Sequence, residues 1–244
     1  MNTRVRIASA VLVLLAVAAT GARAEKADTS ASPAPPMTHR ASLGGQIGTP
    51  WIVAGGDYAA GAKLRLSFSG AFRYAVSPGL RWQVSPYFGW NGYDSGEPAP
   101  FADPNFPADA TKEHYLTEIA GGSAQLQWTR TRGRTLWHLG GGPAIYRVVL
   151  ENRRKVVADP VSFVRHHTTH LGATAEIGIE RFLKNLTTTS LEATLAYQTV
   201  FATDDTKFPS GWNDNPGALE LRVGGHYYYD LNRKKPEGKP GLRK

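Results

Sequence analysis

Apolar and polar residues alternate one by one along much of the chain, and this pattern constrains the fold more than any other feature. In the clearest stretch one set of positions holds Leu64, Leu66, Phe68, Phe72 and Tyr74, and the intervening set holds Lys63, Arg65, Ser67, Ser69 and Arg73. A period of two residues is that of a β-strand with two unlike faces, whereas a helix would scatter these residues around its circumference. The pattern therefore predicts a strand.

Seven further stretches alternate in the same way and bring the number of predicted strands to eight. Three of them are regular, Leu80–Asn91, Leu191–Phe201 and Leu219–Leu231, and four are weaker, Arg40–Thr49, Tyr115–Thr129, Thr135–Val149 and Thr169–Phe182. Within Tyr115–Thr129 the parity of the apolar residues is unclear, and a β-bulge would explain it.

The connections between these strands are long and short in strict turn. Long polar segments lie near 50–61, 92–113, 150–168 and 203–217, and short turns lie between them at Ser77–Gly79, Arg130–Arg134 and Lys184–Leu186. An up-and-down meander with all its long loops at one end produces this order, and outer-membrane barrels show the same asymmetry. We predict an all-β fold over residues 38–231, an eight-stranded antiparallel up-and-down transmembrane β-barrel.

The two ends of the chain differ in composition from this body. Residues 1–24 combine basic Arg4 and Arg6, an apolar run and a closing Ala22-Arg23-Ala24, which predicts a cleaved signal peptide. Residues 25–37 resemble a flexible Ala/Ser/Pro-rich leader, and 232–244 form a basic tail. The net charge of +8 arises in the signal and the tail, so we expect no nucleic-acid partner. The chain has no cysteine, which excludes disulfides and thiolate metal sites.

Alternation alone does not say which face of the strands is inside. A soluble lipocalin-type barrel would carry the same stripes with its apolar residues pointing inward. Long strands, aromatic residues near strand ends and full charges on the polar face favour an apolar exterior in contact with lipid. We therefore expect a membrane barrel and keep the soluble carrier as an alternative.

The last predicted strand contains a short motif of a polar residue, a glycine and two spaced aromatic residues: Arg222, Gly224, Tyr227 and Tyr229. Together with the loop pattern, it makes the region from Thr38 to Leu231 resemble the small outer-membrane barrels of the OmpA/OmpX type. The resemblance implies recognition by the outer-membrane assembly machinery and a location in a bacterial outer membrane, among its lipid and lipopolysaccharide. In that family the motif normally ends the chain or the barrel domain, whereas here thirteen residues follow Leu231.

The interior of an eight-stranded barrel is just wide enough to be filled by side chains, so inward charges need partners. In a ring of eight, the second strand faces the sixth and the third faces the seventh. The sequence therefore predicts a structural network of charges in the lumen, formed by Lys63, Arg65, Arg73, Arg81, Glu118, Glu176, Glu180, Glu192, Glu220 and Arg222.

Two kinds of chemistry have weaker support in the sequence. His166 and His170 share a strand face and could bind a divalent metal, but no local carboxylate or thiol completes the set. Some barrels of this size modify lipid A with a His/Ser pair and a carboxylate, but serines are sparse near these histidines and no GxSxG motif is present. We expect no cofactor and no metal.

The expected function is therefore a non-enzymatic outer-membrane barrel that contributes to the envelope or to surface interactions through its long loops. Segments 92–113 and 150–168 are the candidate sites for an external ligand, the first because it combines four prolines with Phe101 and Phe106. The alternatives are a lipid A-modifying enzyme and a carrier of small hydrophobic ligands at the barrel mouth.

Overall fold

The described part of the chain is built from strands alone. The computed structural model describes residues 37–55, 62–63, 65–93, 115–152, 155–156, 167–184, 186–202 and 215–231. No helix in these segments is long and apolar enough to cross a membrane. The predicted signal peptide (1–24), all but the last residue of the predicted leader (25–37) and the predicted tail (232–244) lie outside the described residues.

Ten strands follow one another along the described segments. They are β1 (Arg40–Ala54), β2 (Ala62–Lys63), β3 (Ser67–Ser77), β4 (Leu80–Tyr93), β5 (Tyr115–Arg132), β6 (Thr135–Asn152), β7 (Lys155–Val156), β8 (His167–Phe182), β9 (Thr189–Val200) and β10 (Gly217–Asp230). Strands β2 and β7 have two residues each and extend the ladders of β4 and β6.

The eight long strands form a closed antiparallel ring. Each pairs with its neighbour along the chain, and β10 pairs with β1 over Arg40–Ala54, so the first and last strands close the barrel. Every long strand has two partners, and the sheet therefore has no free edge. The predicted eight-stranded up-and-down barrel is confirmed.

The two faces of this ring have opposite polarity. On β3 the side chain of Phe72 is 52% exposed, while that of its neighbour Arg73 is 1% exposed. The same contrast separates exposed Trp82 and Val84 from buried Arg81 and Gln83 on β4. Apolar side chains point outward and polar ones inward, which is the reverse of the arrangement in a lipocalin-type barrel. The soluble lipocalin-type alternative is therefore wrong.

Most strands differ from the predicted bounds by a few residues, and β1, β3 and β5 differ in ways that affect the fold. Strand β1 continues five residues beyond Thr49, with a register shift near its end between Ile52 and Ala54. Strand β3 begins at Ser67 rather than at Lys63, because the regular pairing is interrupted before it. Strand β5 keeps one register against both of its neighbours, so the bulge expected there is absent.

The end of the barrel that carries the short turns, which we call the turn end, is closed by apolar packing. Met37, Ala75, Leu136, Phe182 and Tyr228 form a buried cluster across this end. The rings of Phe182 and Tyr228 lie 5.3 Å apart. The opposite end, from which the long connections leave, is called the loop end.

Candidate functional site

The lumen contains a cross-barrel ion-pair cluster next to the turn end. Arg73 and Arg81 come from the adjacent strands β3 and β4, and Glu180 and Glu192 come from β8 and β9 on the opposite wall. The guanidinium of Arg73 lies 2.6 Å from Glu192 and 3.4 Å from Glu180, and that of Arg81 lies 2.9 Å from Glu180. We call these four residues the central cluster.

The central cluster is buried from solvent, which makes its pairing energetically necessary. All four side chains are at most 1% exposed. Removing a charge from water costs several kcal/mol per ion, about as much as a well-placed partner and further hydrogen bonds return. Glu180 has such additional donors in Tyr228, whose hydroxyl lies 2.6 Å away, and in Ser190.

Two buried glutamines connect the arginines to a third carboxylate. The Arg73 Nε donates to Gln83 over 2.5 Å, and the Arg81 Nε donates to Gln127. Both glutamines in turn donate to Glu176, Gln83 over 3.2 Å. Arg73 is therefore held at its Nε and at both terminal nitrogens, and Arg81 at its Nε and Nη1, which fixes the orientation of each guanidinium plane.

Two histidines complete the surroundings of Glu192. The His226 Nε2 lies 2.5 Å from one carboxylate oxygen, and the His138 Nε2 lies 3.3 Å from the other. Glycines make room for both rings: a Cβ on Gly44 would overlap the His226 imidazole, and one on Gly178 would approach His138 to 2.5 Å. Larger side chains at these two positions would exclude the imidazoles from the lumen.

A second group of charges lies closer to the loop end. Arg222 contacts Glu220 at 2.6 Å and reaches Glu176 at 3.9 Å, which connects this group to the glutamines below it. Glu220 also accepts from Ser67 and, over 2.6 Å, from Gln198. These contacts form the upper tier of the network.

Seven of the ten residues predicted for the lumenal network lie buried in the lumen: Arg73, Arg81, Glu176, Glu180, Glu192, Glu220 and Arg222. Among the buried residues that the structure describes, three arginines therefore face four glutamates. The sequence prediction missed Gln83, Gln127, His138 and His226, although alternation places Gln83 and His226 on the inward face of their strands.

Three of the ten predicted network residues are elsewhere, and for them the prediction is wrong. Lys63 and Arg65 are exposed near the loop end, where the strand pairing is interrupted. The Arg65 guanidinium lies against Gly92, about 3.1 Å from the position that a Cβ on this glycine would take. Glu118 pairs with outward-facing Trp90, so its side chain leaves the outer face of β5. The residues on either side of Glu118 in the sequence, Thr117 and Ile119, are buried and face the lumen instead.

Above the upper tier the lumen changes from charged to apolar. Tyr87 and Tyr146 meet there edge to face, with ring centroids 6.2 Å apart, and Ile52, Ile119 and Val200 complete the wall. The Tyr146 hydroxyl donates to Gln198 over 2.8 Å, and the Arg222 guanidinium lies 5.4 Å from the centre of the Tyr87 ring. These residues line a narrow cavity of about 20 Å³, which we call the mouth cup.

The remaining sequence candidates are the histidine pair and the motif of the last strand. His166 lies outside the described residues, and no group of three metal-ligating side chains occurs among the residues that are described. In the motif of the last strand, Arg222 points inward, while Tyr227 and Tyr229 point outward with ring centroids 4.8 Å apart. Gly224 packs against the backbone of Gly45 and Gln46, and an added Cβ would overlap the Gly45 carbonyl oxygen.

A closed ring with a polar interior and an apolar exterior decides the architecture. It is that of a small eight-stranded membrane barrel. No protein-family model matches the chain, and no curated protein matches it.

Among solved structures, the chain is similar to several barrels, including three small outer-membrane proteins. One is Neisserial surface protein A, with a TM-score of 0.47, 12% identity and coverage of 77% of this chain and 96% of that one. Another is Ail, the attachment invasion locus protein of Yersinia pestis, with a TM-score of 0.44, 11% identity and coverage of 79% and 100%. The third is the outer membrane protein OprG from Pseudomonas aeruginosa, with a TM-score of 0.45, 10% identity and coverage of 81% and 99%.

Proposed function

We propose that this protein is a non-enzymatic barrel of a bacterial outer membrane, with a lumen closed to solute flow and a function exerted at its external face. The observation that carries the proposal is the inverted polarity of the ring. A charged interior whose arginines form ion pairs with glutamates, inside an apolar wall, is stable only where hydrocarbon surrounds the wall.

The outer surface supports a membrane location. Leu43, Val84 and Trp128 are 57%, 54% and 60% exposed, on three different strands, and water would leave all three uncovered. A strand needs about 9–11 residues to cross a bilayer when tilted by about 45°, and the long strands here have 11 to 18. Outer-membrane lipid and lipopolysaccharide are the partners proposed for such a surface.

The filled interior supports a closed lumen. The central cluster, the glutamines and the upper tier occupy the cross-section at successive heights, and the apolar cluster closes the turn end. An eight-stranded ring has little room left once such side chains are in place. Function is then left to the loop end.

The external contacts and the assembly route belong to the proposal as well. Most of 92–113 and 150–168 lies outside the described residues, and these segments are proposed as the contact sites for an external ligand because they leave the loop end. The outward pair Tyr227 and Tyr229 on the closing strand is proposed as the contact for the assembly machinery.

Cell fractionation with gel electrophoresis tests the location. A folded outer-membrane barrel is expected in the outer-membrane fraction, with a faster-migrating band before boiling than after it. A band that migrates identically in both samples, or a protein extracted without detergent, contradicts the proposal. Mass spectrometry of lipid A from cells with and without the protein tests the enzyme alternative, because a gained or lost acyl chain would establish an activity.

A further inference from the structure

We infer that four arginines at the turn end form a binding surface for the phosphate groups of anionic phospholipids in the inner, periplasmic leaflet. They are Arg130 and Arg132 on β5, Arg134 after the turn that follows, and Arg181 on β8. We call these four residues the arginine patch. The inference rests on the proposed function, because the short turns of a barrel face the periplasm only if it lies in an outer membrane.

The strand register places the arginine patch at the turn-end border of the apolar outer wall. Three rows of side chains follow one another on the outer face of β5, β6 and β8, each two residues closer to the turn end. The first row is apolar and consists of Trp128, Leu139 and Ile177. The second is Arg130, Trp137 and Ile179, and the third is Arg132, Thr135 and Arg181. The outer face therefore changes from apolar to mainly cationic over four residues, about 13 Å of strand.

Two tryptophans set the depth of the arginine patch in the membrane. Trp128 is 60% exposed and Trp137 is 40% exposed on the same outer face. Indole rings in this position lie at the level of the lipid headgroups, so the arginines beside and beyond them reach the phosphates. Arg130 and Arg132 extend sideways from the wall, as Trp128 does, rather than down from the turns. A headgroup in the surrounding leaflet therefore meets them more directly than a soluble polymer beneath the barrel.

Acidic side chains are scarce around the arginine patch. Segments 128–139 and 179–184 contain one acidic residue, Glu180, and its side chain points into the lumen. Among the residues that the structure describes, neither Arg130 nor Arg181 forms an ion pair. Arg134 is held beside Arg181, because its Nη2 donates to the Phe182 carbonyl oxygen over 2.6 Å. Clustered cations of this kind attract anionic headgroups, and a guanidinium can hold a phosphate through two parallel hydrogen bonds.

Native mass spectrometry of the full chain, released from lipid nanodiscs, tests the inference. The nanodiscs contain equal amounts of phosphatidylglycerol, whose headgroup has a net negative charge, and phosphatidylethanolamine, whose headgroup has none. The wild-type chain is expected to retain phosphatidylglycerol in clear preference to phosphatidylethanolamine. The ratio of the two retained lipids is the measured quantity.

Three double variants assign this preference to the arginine patch. Arg130→Gln with Arg181→Gln removes two positive charges, and the preference is expected to fall roughly 25-fold, about fivefold for each arginine. Arg130→Lys with Arg181→Lys keeps both charges and is expected to retain most of the preference. The matched control, Lys234→Gln with Lys235→Gln, removes the same charge from residues 232–244 and is expected to leave the preference unchanged.

Two failures are distinguishable in this experiment. A wild-type chain with no heat-dependent gel mobility would overturn the proposed function itself. A folded wild-type chain that retains both lipids equally, or a preference that survives in the glutamine variant of Arg130 and Arg181, would overturn this inference alone. A preference that is lost in the control variant of Lys234 and Lys235 would assign the lipid contact to residues 232–244 and would overturn it as well.

Discussion

Replacing Arg73 with methionine removes the cation that joins the two walls of the central cluster. The substitution deletes contacts of 2.6 Å to Glu192 and 3.4 Å to Glu180, and the hydrogen bond to Gln83. Stripping one partner from a buried ion pair costs about 3–5 kcal/mol, because the remaining charge keeps its desolvation penalty.

The surviving contacts place the expected loss at the lower end of that range. Glu192 still accepts from Gln46 over 2.6 Å and still contacts His226, and Glu180 still pairs with Arg81. We therefore expect a loss of about 3 kcal/mol, which corresponds to a fall in Tm of roughly 6–12 °C for a domain of this size.

Thermal unfolding in detergent micelles, followed by the loss of the fast-migrating folded band, measures this change. The matched control is Arg130→Met, on an exposed arginine of β5, for which we expect a change of at most about 0.5 kcal/mol. Adding Glu192→Gln to Arg73→Met is expected to restore part of the stability, since it removes the unpaired charge. If Arg73→Met unfolds at the same temperature as Arg130→Met, the central cluster does not stabilise the barrel.

Three other substitutions test the remaining layers of the barrel. Val84→Lys puts a charge on the outer wall near mid-height and is expected to cost about 2–4 kcal/mol in urea unfolding from lipid vesicles; an unchanged midpoint would mean that Val84 does not face hydrocarbon. Phe182→Ala empties part of the turn-end cluster and is expected to cost about 3–5 kcal/mol by the same assay, and a loss below 1 kcal/mol would contradict tight packing there. Gly178→Ala brings a methyl group within 2.5 Å of the His138 imidazole and is expected to lower stability by about 1–3 kcal/mol. The control Gly45→Ala, whose methyl group would have its nearest neighbour at 4.0 Å, is expected to be nearly neutral. Equal effects of the two substitutions would refute the packing argument.

Alternation was sufficient to predict the ring and the face on which most side chains lie, because successive side chains of a β-strand point to opposite faces in any environment. Phe72 and Arg73 lie on the faces that their parity predicts. Glu118 does not, because the rule that apolar residues point outward fails at the mouth. There the lumen itself is apolar, and Ile119 points inward to line the cup. The prediction for Glu118 used only its charge and therefore assigned it to the wrong face.

The partners within the lumen depend on information that the sequence does not contain. Which side chains meet across the barrel is decided by the relative heights of strands, and those follow from the stagger of the whole ring. Gln83 and Gln127 belong to the network because they reach Glu176 from two adjacent strands. A search limited to formal charges overlooks such neutral donors. The prediction for Lys63 and Arg65 was wrong because the sequence alternation continues between Lys63 and Ser67, whereas the strand pairing is interrupted there.

Conductance across a planar lipid bilayer tests the closed, inverted barrel most directly. The purified wild-type chain, inserted with the loop end on either side, is expected to give no unitary current steps above the bare bilayer, since ion-paired side chains fill the lumen and the turn-end cluster seals it. Reproducible current steps from protein shown to be folded by its gel mobility would contradict this account.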